Sequence, residues 1–445
     1  MKKWIVVLLA TMFITLAFAP TAFAGGAPPS NFKIGSFTEV DGTSHSATFL
    51  SSETDETTTV KIDESINVAD IQIDDKAMVS FSSTEGSDTV TEITPMFLGL
   101  TKDKLLALLI VGLVGGLLSG FIGSGGAFVL TPAMMSLGAP GAVAVASNMC
   151  HKFPKAMVGS YKRFRYGQVD VKLGLVIAGS AIAGVQVGFQ IQKWILDSWG
   201  SAGSDLYVSF VFVIILVVVG GIVFKDALTS SKKEDVEVKK TPRLAARMQK
   251  IKLKPMLRFK KADVTISAWV TLPVGFATGM LAATIAVGGF IGVPGMIYMI
   301  GATAMVASAT ELLVAFVMGM WGSIQWSLAG LVDIRLVLII LSASLFGVQL
   351  GALGTTYVRD YTIKMVMGTV MVIVAVSRGV KIPVYLEHLN VISLDKSVSS
   401  VLDAISFWSL IAALLTAGGI ISAAMVKGII RSRIKDKEAA DMGRV

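Results

Sequence analysis

The chain has 445 residues, of which 53% are hydrophobic and 16% charged, with a mean hydropathy of +0.71. A soluble domain carries about 25% charged residues, so the composition excludes an ordinary soluble protein and points to an integral membrane protein with a small appendage. The net charge of +8 does not imply nucleic-acid binding: residues 25–98 hold 13 acids and 3 bases, and the basic excess lies in loops between apolar segments.

Residues 1–24 read as a signal peptide. Lys2 and Lys3 form a positive start, an apolar run follows, and Ala22-Phe23-Ala24 offers a cleavage site. An uncleaved anchor is the alternative. Cleavage would leave the new N-terminus outside the cytoplasm.

Residues 25–98 lack a long apolar run. Short alternating patches such as Thr58-Thr59-Val60-Lys61-Ile62 and Ala77-Met78-Val79-Ser80-Phe81, separated by Asp41-Gly42 and Glu85-Gly86, predict a small antiparallel β-domain outside the membrane. Its acids read as a solvated face.

From residue 99 the chain turns apolar. Blocks near 104–138, 141–160, 171–192, 206–225, 264–299, 302–322, 335–356, 362–380 and 405–427 are candidate spans. The blocks 104–138 and 264–299 are too long for one crossing and are interrupted by glycine. Each reads as two segments that leave and return to the same side. The divisions expected are a first membrane repeat over 99–226, a basic cytoplasmic loop over 227–262, a second repeat over 263–380, an outer loop and final helix over 381–427, and a cytoplasmic tail over 428–445. Thirteen Lys/Arg in 225–261 place that loop inside, as do Lys162-Arg163-Phe164-Arg165 for the loop before Asp170 and six more bases for the tail. Ser323–Asp333 holds no Lys or Arg and reads as outside. The lone Cys150 excludes an intramolecular disulfide and a CxxC site.

The two halves repeat at an offset of 163 residues. Gly125-Gly126 meets Gly288-Gly289, Ser147-Asn148 meets Thr310-Glu311, Gly167–Val171 meets Gly330–Ile334, and Gly184-Val185-Gln186-Val187-Gly188 meets Gly347-Val348-Gln349-Leu350-Gly351. Because the loop before Asp170 is basic and the one before Asp333 is not, the repeats read as inverted in the membrane. That is the architecture of secondary transporters, in which two flipped halves give two states of similar energy open to opposite sides.

The order Gly120-x-x-Gly123-x-Gly125-Gly126, Pro132, Ala146-Ser147, Gly167-Gln168-Val169-Asp170, then a glycine-rich helix, resembles the TauE/SafE sulfite-exporter family over about 105–380. The resemblance implies a permease for sulfite, sulfonates or other sulfur-containing or organic acids. This chain adds the signal peptide, the β-domain and the basic loop, and carries Ala286 where the first half has Gly123.

The candidate substrate-binding residues are Gly123, Ser124, Gly125, Gly126, Ser147, Asn148, Lys155, Gly288, Gly289 and Thr310. Glycine permits close approach and a broken helix, and amides at the restart of a helix can donate to an anion; close helix packing is the competing account of the glycines. Glu311 is the only acid of its apolar stretch and is the candidate ion-coupling group. His151 and Lys155 share a helix face and offer positive charge, or else anchor a cytoplasmic end. Gln186 and Gln349 read as oxyanion donors or as interhelical hydrogen-bond partners, Asp170 and Asp333 as helix caps, and Trp321 and Trp326 as interface anchors.

The expectation is therefore an α-helical polytopic membrane protein of two inverted-topology repeats with glycine-broken helices, plus the extracytoplasmic β-domain. It would sit in a bacterial-type inner membrane as a secondary transporter, by expectation an exporter, of a small anion. No enzyme activity, cofactor, metal or nucleic-acid partner is expected; the partners are the anion and the bilayer, with a homo-oligomer left open. A passive anion channel, and a sensor with an external ligand-binding domain, are the competing readings.

Overall fold

The computed structural model describes residues 31–442 except 52–55, 65, 69–70, 72, 74–75, 85–86, 96–99, 124–125, 232–241 and 390. The expected signal peptide lies outside the described residues. So do Ser124, Gly125 and residues 232–241 of the basic loop.

Five strands come first: β1 (Asn31–Asp41), β2 (Ser46–Ser51), β3 (Thr57–Ile62), β4 (Lys76–Thr84) and β5 (Ser87–Pro95). They close into a barrel in the order β1-β2-β3-β5-β4. The antiparallel expectation needs one correction, because β3 and β5 run parallel. Inward alternate residues, among them Phe37, Phe49, Val60, Val79, Phe81 and Val90, make a separate small core. Edge-to-face contacts of Phe49 with Phe37 and Phe81 fill it. Closure between β3 and β5 rests on two residue pairs, Lys61 with Thr89 and Ile62 with Val90.

The rest is helical. The first half contains α1 (Lys102–Ile122), α2 (Ala127–Ser136), α3 (Gly141–Arg165) and α4 (Val171–Ser231). The long α4 breaks at Gly200, whose φ of 65° interrupts the helix. A short α5 (Arg243–Met248) and a hairpin of β6 (Met256–Phe259) and β7 (Val264–Ser267) follow. The second half contains α6 (Ala268–Ile285), α7 (Gly289–Gly295) continuing as a π turn at Met296–Ile300, α8 (Ala304–Leu328), α9 (Ile334–Gly354) and α10 (Asp360–His388). The last helix is α11 (Lys396–Met442).

Seven of these helices are long and apolar enough to cross a membrane, and each arm of α4 exceeds the about 20 residues a crossing needs. The α4 helix runs past the expected boundary at 226, and α11 runs through the one at 427. The central helix α3 is not among the seven. It carries His151, Lys152, Lys155 and Arg163, yet all four are fully buried. An apolar stretch interrupted in this way must satisfy those charges inside the protein.

Both overlong blocks are broken, with residues 123–126 between α1 and α2 and 286–288 between α6 and α7. The offset of 163 carries α3 onto α8 residue for residue, and both helices have 25 residues. Contacts between the halves are exchanged in the same way. A Cβ added at Gly112 or Gly116 would strike the α9 backbone at Ile340 or Ser344; added at Gly275 or Gly279 it would strike the α4 backbone at Ile177 or Ala181. These are equivalent positions, so α1 lies on α9 as α6 lies on α4, each pair parallel. By contrast α3 and α8 run antiparallel: Met149 faces Gly322 and Phe153 faces Gly319. Equivalent rings Phe153 and Phe316 stack at 5.8 Å where the two helices cross.

Candidate functional site

The site forms at the crossing of α3 and α8. Asn148, His151, Lys152 and Lys155 occupy positions i, i+3, i+4 and i+7 of α3, hence one face. None is more than 1% exposed. The Lys152 Nζ donates to the Ala286 carbonyl at 2.9 Å. Ala286 caps α6 in the left-handed region at φ 60°, where its equivalent Gly123 has φ 101°. A carbonyl at a helix C-terminus is a natural partner for an ammonium. Lys152 also interacts electrostatically with Glu311. His151 Nε2 shares a 2.7 Å hydrogen bond with Ser344 Oγ of α9.

Asn148 Nδ2 donates to the Ala127 carbonyl and to Thr131 Oγ1, both at 2.8 Å, and so holds α2 against α3. Its equivalent Glu311 is buried against α7, where a Cβ on Gly292 would overlap the carboxylate. These equivalent polar residues thus each lie against the short helix that follows the break in their own half.

Three buried polar atoms on the α3 face make no hydrogen bond: Lys155 Nζ, His151 Nδ1 and Asn148 Oδ1. Leaving an ammonium buried without a partner is costly. The arrangement offers a desolvated positive group for which an anion is the chemical complement.

The glycine breaks border this region. Gly123, Gly126, Gly288 and Gly289 are all buried. Gly126 abuts the Gly115 carbonyl, and a Cβ on Gly288 would come within 2.6 Å of the Thr278 carbonyl. The first turns of α2 and α7 meet through Phe128 and Phe290, whose ring centroids are 4.2 Å apart. The described glycines are therefore buried by packing, Gly126 and Gly288 each against its own half and Gly123 against Val293 and Ser308 of the other.

Ser147 and Thr310 have a different setting. The Ser147 hydroxyl accepts the Asp333 N–H at 3.0 Å, and the Thr310 hydroxyl accepts the Asp170 N–H at 3.0 Å. Each oxygen ties one half to the start of a helix in the other. Asp170 and Asp333 cap those helices by accepting the N–H groups of Leu173 and Arg335. Gln186 accepts from Gln325 across helices, whereas Gln349 is exposed and bonds within its own helix, so the two amides do not share a role.

Two arginines carry more than their sequence signal suggested. Arg163 was expected as part of a cytoplasmic anchor but is fully buried. Its Nη1 donates to the last carbonyls of α1, Gly120 and Phe121, at 3.0 and 3.3 Å, and its Nη2 to Met305 O and Ser308 Oγ at 2.8 and 3.0 Å. Arg378 is also fully buried and joins α10 to Ser136 of α2 and Ser406 of α11 at 2.9 and 3.0 Å. Trp326, expected as an interface anchor, is buried with its ring edge-on to Phe189, while Trp321 is 37% exposed.

A family profile described as "Sulfite exporter TauE/SafE" matches residues 108–378. The chain is 24% identical over 267 residues to "Probable membrane transporter protein YdhB" of Bacillus subtilis (strain 168), covering 58% of this chain and 94% of that protein. It is 22% identical over 279 residues to "Probable membrane transporter protein YunE" of the same organism, covering 61% and 96%. No solved structure gives a significant match.

Proposed function

The chain belongs to the TauE/SafE sulfite exporter family of membrane transporters, and from that premise we propose that it is a secondary transporter that exports a small anion, such as sulfite, a sulfonate or another organic or sulfur-containing acid. The observation that carries this reading is Lys155, whose ammonium is fully buried and unpartnered at the crossing of two repeat-equivalent helices. An anion entering there gains a charged partner in a site of low dielectric. His151 Nδ1 and the glycine breaks supply neighbouring polar contacts, and Asn148 keeps α2 in place.

The proposed cycle is alternating access by inverted repeats. Its support is that α3 and α8, equivalent in sequence, run antiparallel while contacts between the halves are exchanged. Loop charge then orients the chain, with the β-barrel outside and the end of α11 in the cytoplasm of a bacterial-type cell. Glu311 is the proposed proton-coupling group. As a carboxylate it interacts with Lys152; on protonation it would release that ammonium to the anion, linking proton and anion occupancy.

The test is flux of sulfite, sulfonates and small carboxylates in proteoliposomes of the purified chain, with and without a pH gradient. The reading requires saturable flux and counterflow for at least one anion. Indifference to every anion would overturn it, and unsaturable conductance would favour a channel.

A further inference from the structure

The segment between the two halves has a surface of its own. It leaves the membrane at the end of α4 and re-enters at α6, so it must lie at a membrane surface whichever way the chain is oriented. Between residues 243 and 261 it holds eight basic residues and no acid, and all eight side chains are exposed. Three exposed apolar side chains stand among them: Leu253 at 58%, Met256 at 37% and Trp269 at 58%.

These groups are held in register. Trp269, in the first turn of α6, donates its indole N–H to the Lys254 carbonyl at 3.1 Å, which draws the segment carrying Leu253 to the start of that helix. The hairpin is fastened to the core from its other side. Asp170 Oδ2 accepts the N–H groups of Lys261 and Ala262 at 2.9 and 3.1 Å, while the Asp170 N–H is held by Thr310 of α8. Backbone bonds thus fix the hairpin and leave its ammonium and guanidinium groups free to face outward. Arg258, Lys260 and Lys261 crowd its tip beside the exposed Asp263; Asp170 also lies there, but it is buried and its carboxylate is taken up by backbone N–H groups.

We infer that the β6–β7 hairpin, with Lys252, Lys254 and Trp269, is a docking surface for the anionic headgroups of phospholipids in the adjoining leaflet. Charge complementarity selects the headgroup, since basic residues beside a membrane helix are attracted to anionic lipid. Leu253, Met256 and Trp269 enter the acyl boundary, where amphipathic aromatic rings are favoured. An acidic protein would be served by the charges but would not account for apolar side chains at the level where α6 enters the bilayer.

The test uses the full chain in bilayers of fixed composition, a mixture of phosphatidylcholine and phosphatidylglycerol. Cys150→Ser removes the native thiol, and Leu253→Cys carries an environment-sensitive fluorophore. Only the identity of the brominated lipid is exchanged. Brominated phosphatidylglycerol should quench the probe several-fold more strongly than brominated phosphatidylcholine. That difference should vanish at high salt, which screens it, and should shrink in the triple variant Arg258→Gln/Lys260→Gln/Lys261→Gln, whose probe should still be quenched by either lipid. Equal quenching by both lipids at low salt would overturn the inference, as would quenching by neither.

Discussion

Ser147 and Thr310 make the same contact in opposite directions. Ser147 of α3 receives the N–H of Asp333, at the start of α9, and Thr310 of α8 receives the N–H of Asp170, at the start of α4. Both pairs are related by the 163-residue offset, and both join the two halves. Removing either hydroxyl leaves a buried N–H without its acceptor, which costs about 1–2 kcal/mol. Ser147→Ala and Thr310→Val should therefore each lower the unfolding midpoint in detergent. An unchanged midpoint with weakened anion affinity would instead assign the hydroxyls to the substrate.

The exchanged helix contacts make a second, symmetric prediction. Gly116 and Gly279 each press on a backbone carbonyl of the facing helix, whereas a Cβ on Gly418 of α11 meets nothing within 4 Å. Gly116→Ala and Gly279→Ala should each destabilise by about 1–3 kcal/mol through overpacking, and Gly418→Ala should not. Thermal unfolding of the three variants checks this; a tolerant Gly279 beside an intolerant Gly116 would break the equivalence of the halves.

Much of this arrangement is legible in the residue pattern. The offset that aligns Ser147-Asn148 with Thr310-Glu311 also aligns the ends of α3 and α8, because helix starts and stops follow local chemistry that recurs at that offset. Cross-helix partners are less accessible. Asp333 lies 186 residues from Ser147, and no local feature announces that bond. Arg163 misleads for a physical reason: inside the run Lys162–Arg165, its charge looks like every other positive-inside residue, and only packing distinguishes a guanidinium that caps α1. Trp326 fails likewise, since an indole near a loop and an indole under Phe189 have the same sequence context. The barrel's parallel β3–β5 pair escapes notice because alternation reveals strands and not their partners.

Arg163 bonds α1 to α8 through four acceptors, three of them backbone carbonyls. Arg163→Gln should cost about 3 kcal/mol or more, because it unfastens buried acceptors on two helices. Arg163→Lys should recover only part of this, since one ammonium cannot reproduce the planar fork. Denaturant unfolding, or yield of monodisperse protein, measures both variants. Equal stability of the Lys variant and the parent would refute the bridging role.

Glu311→Gln keeps the shape of the side chain and removes its charge. Under the proposed coupling, the variant should insert and fold, and its anion flux should no longer respond to an imposed pH gradient. Flux measured at matched internal pH, with the gradient reversed between runs, separates coupling from simple inhibition. A variant that responds to the gradient as the parent does would exclude Glu311 as the proton carrier.

Lys155 is where the account is most exposed to a single measurement. Its buried, unpartnered ammonium is assigned to the anion, and a charged hydrogen bond of about 1.5–3 kcal/mol corresponds to roughly a tenfold to hundredfold effect. Sulfite or sulfonate counterflow should be compared in proteoliposomes of the parent chain, Lys155→Gln and Lys155→Arg at equal protein insertion. The account predicts rapid counterflow in the parent, a loss of tenfold or more in Lys155→Gln, and partial retention in Lys155→Arg. Counterflow in Lys155→Gln with the parent's rate and affinity would contradict it.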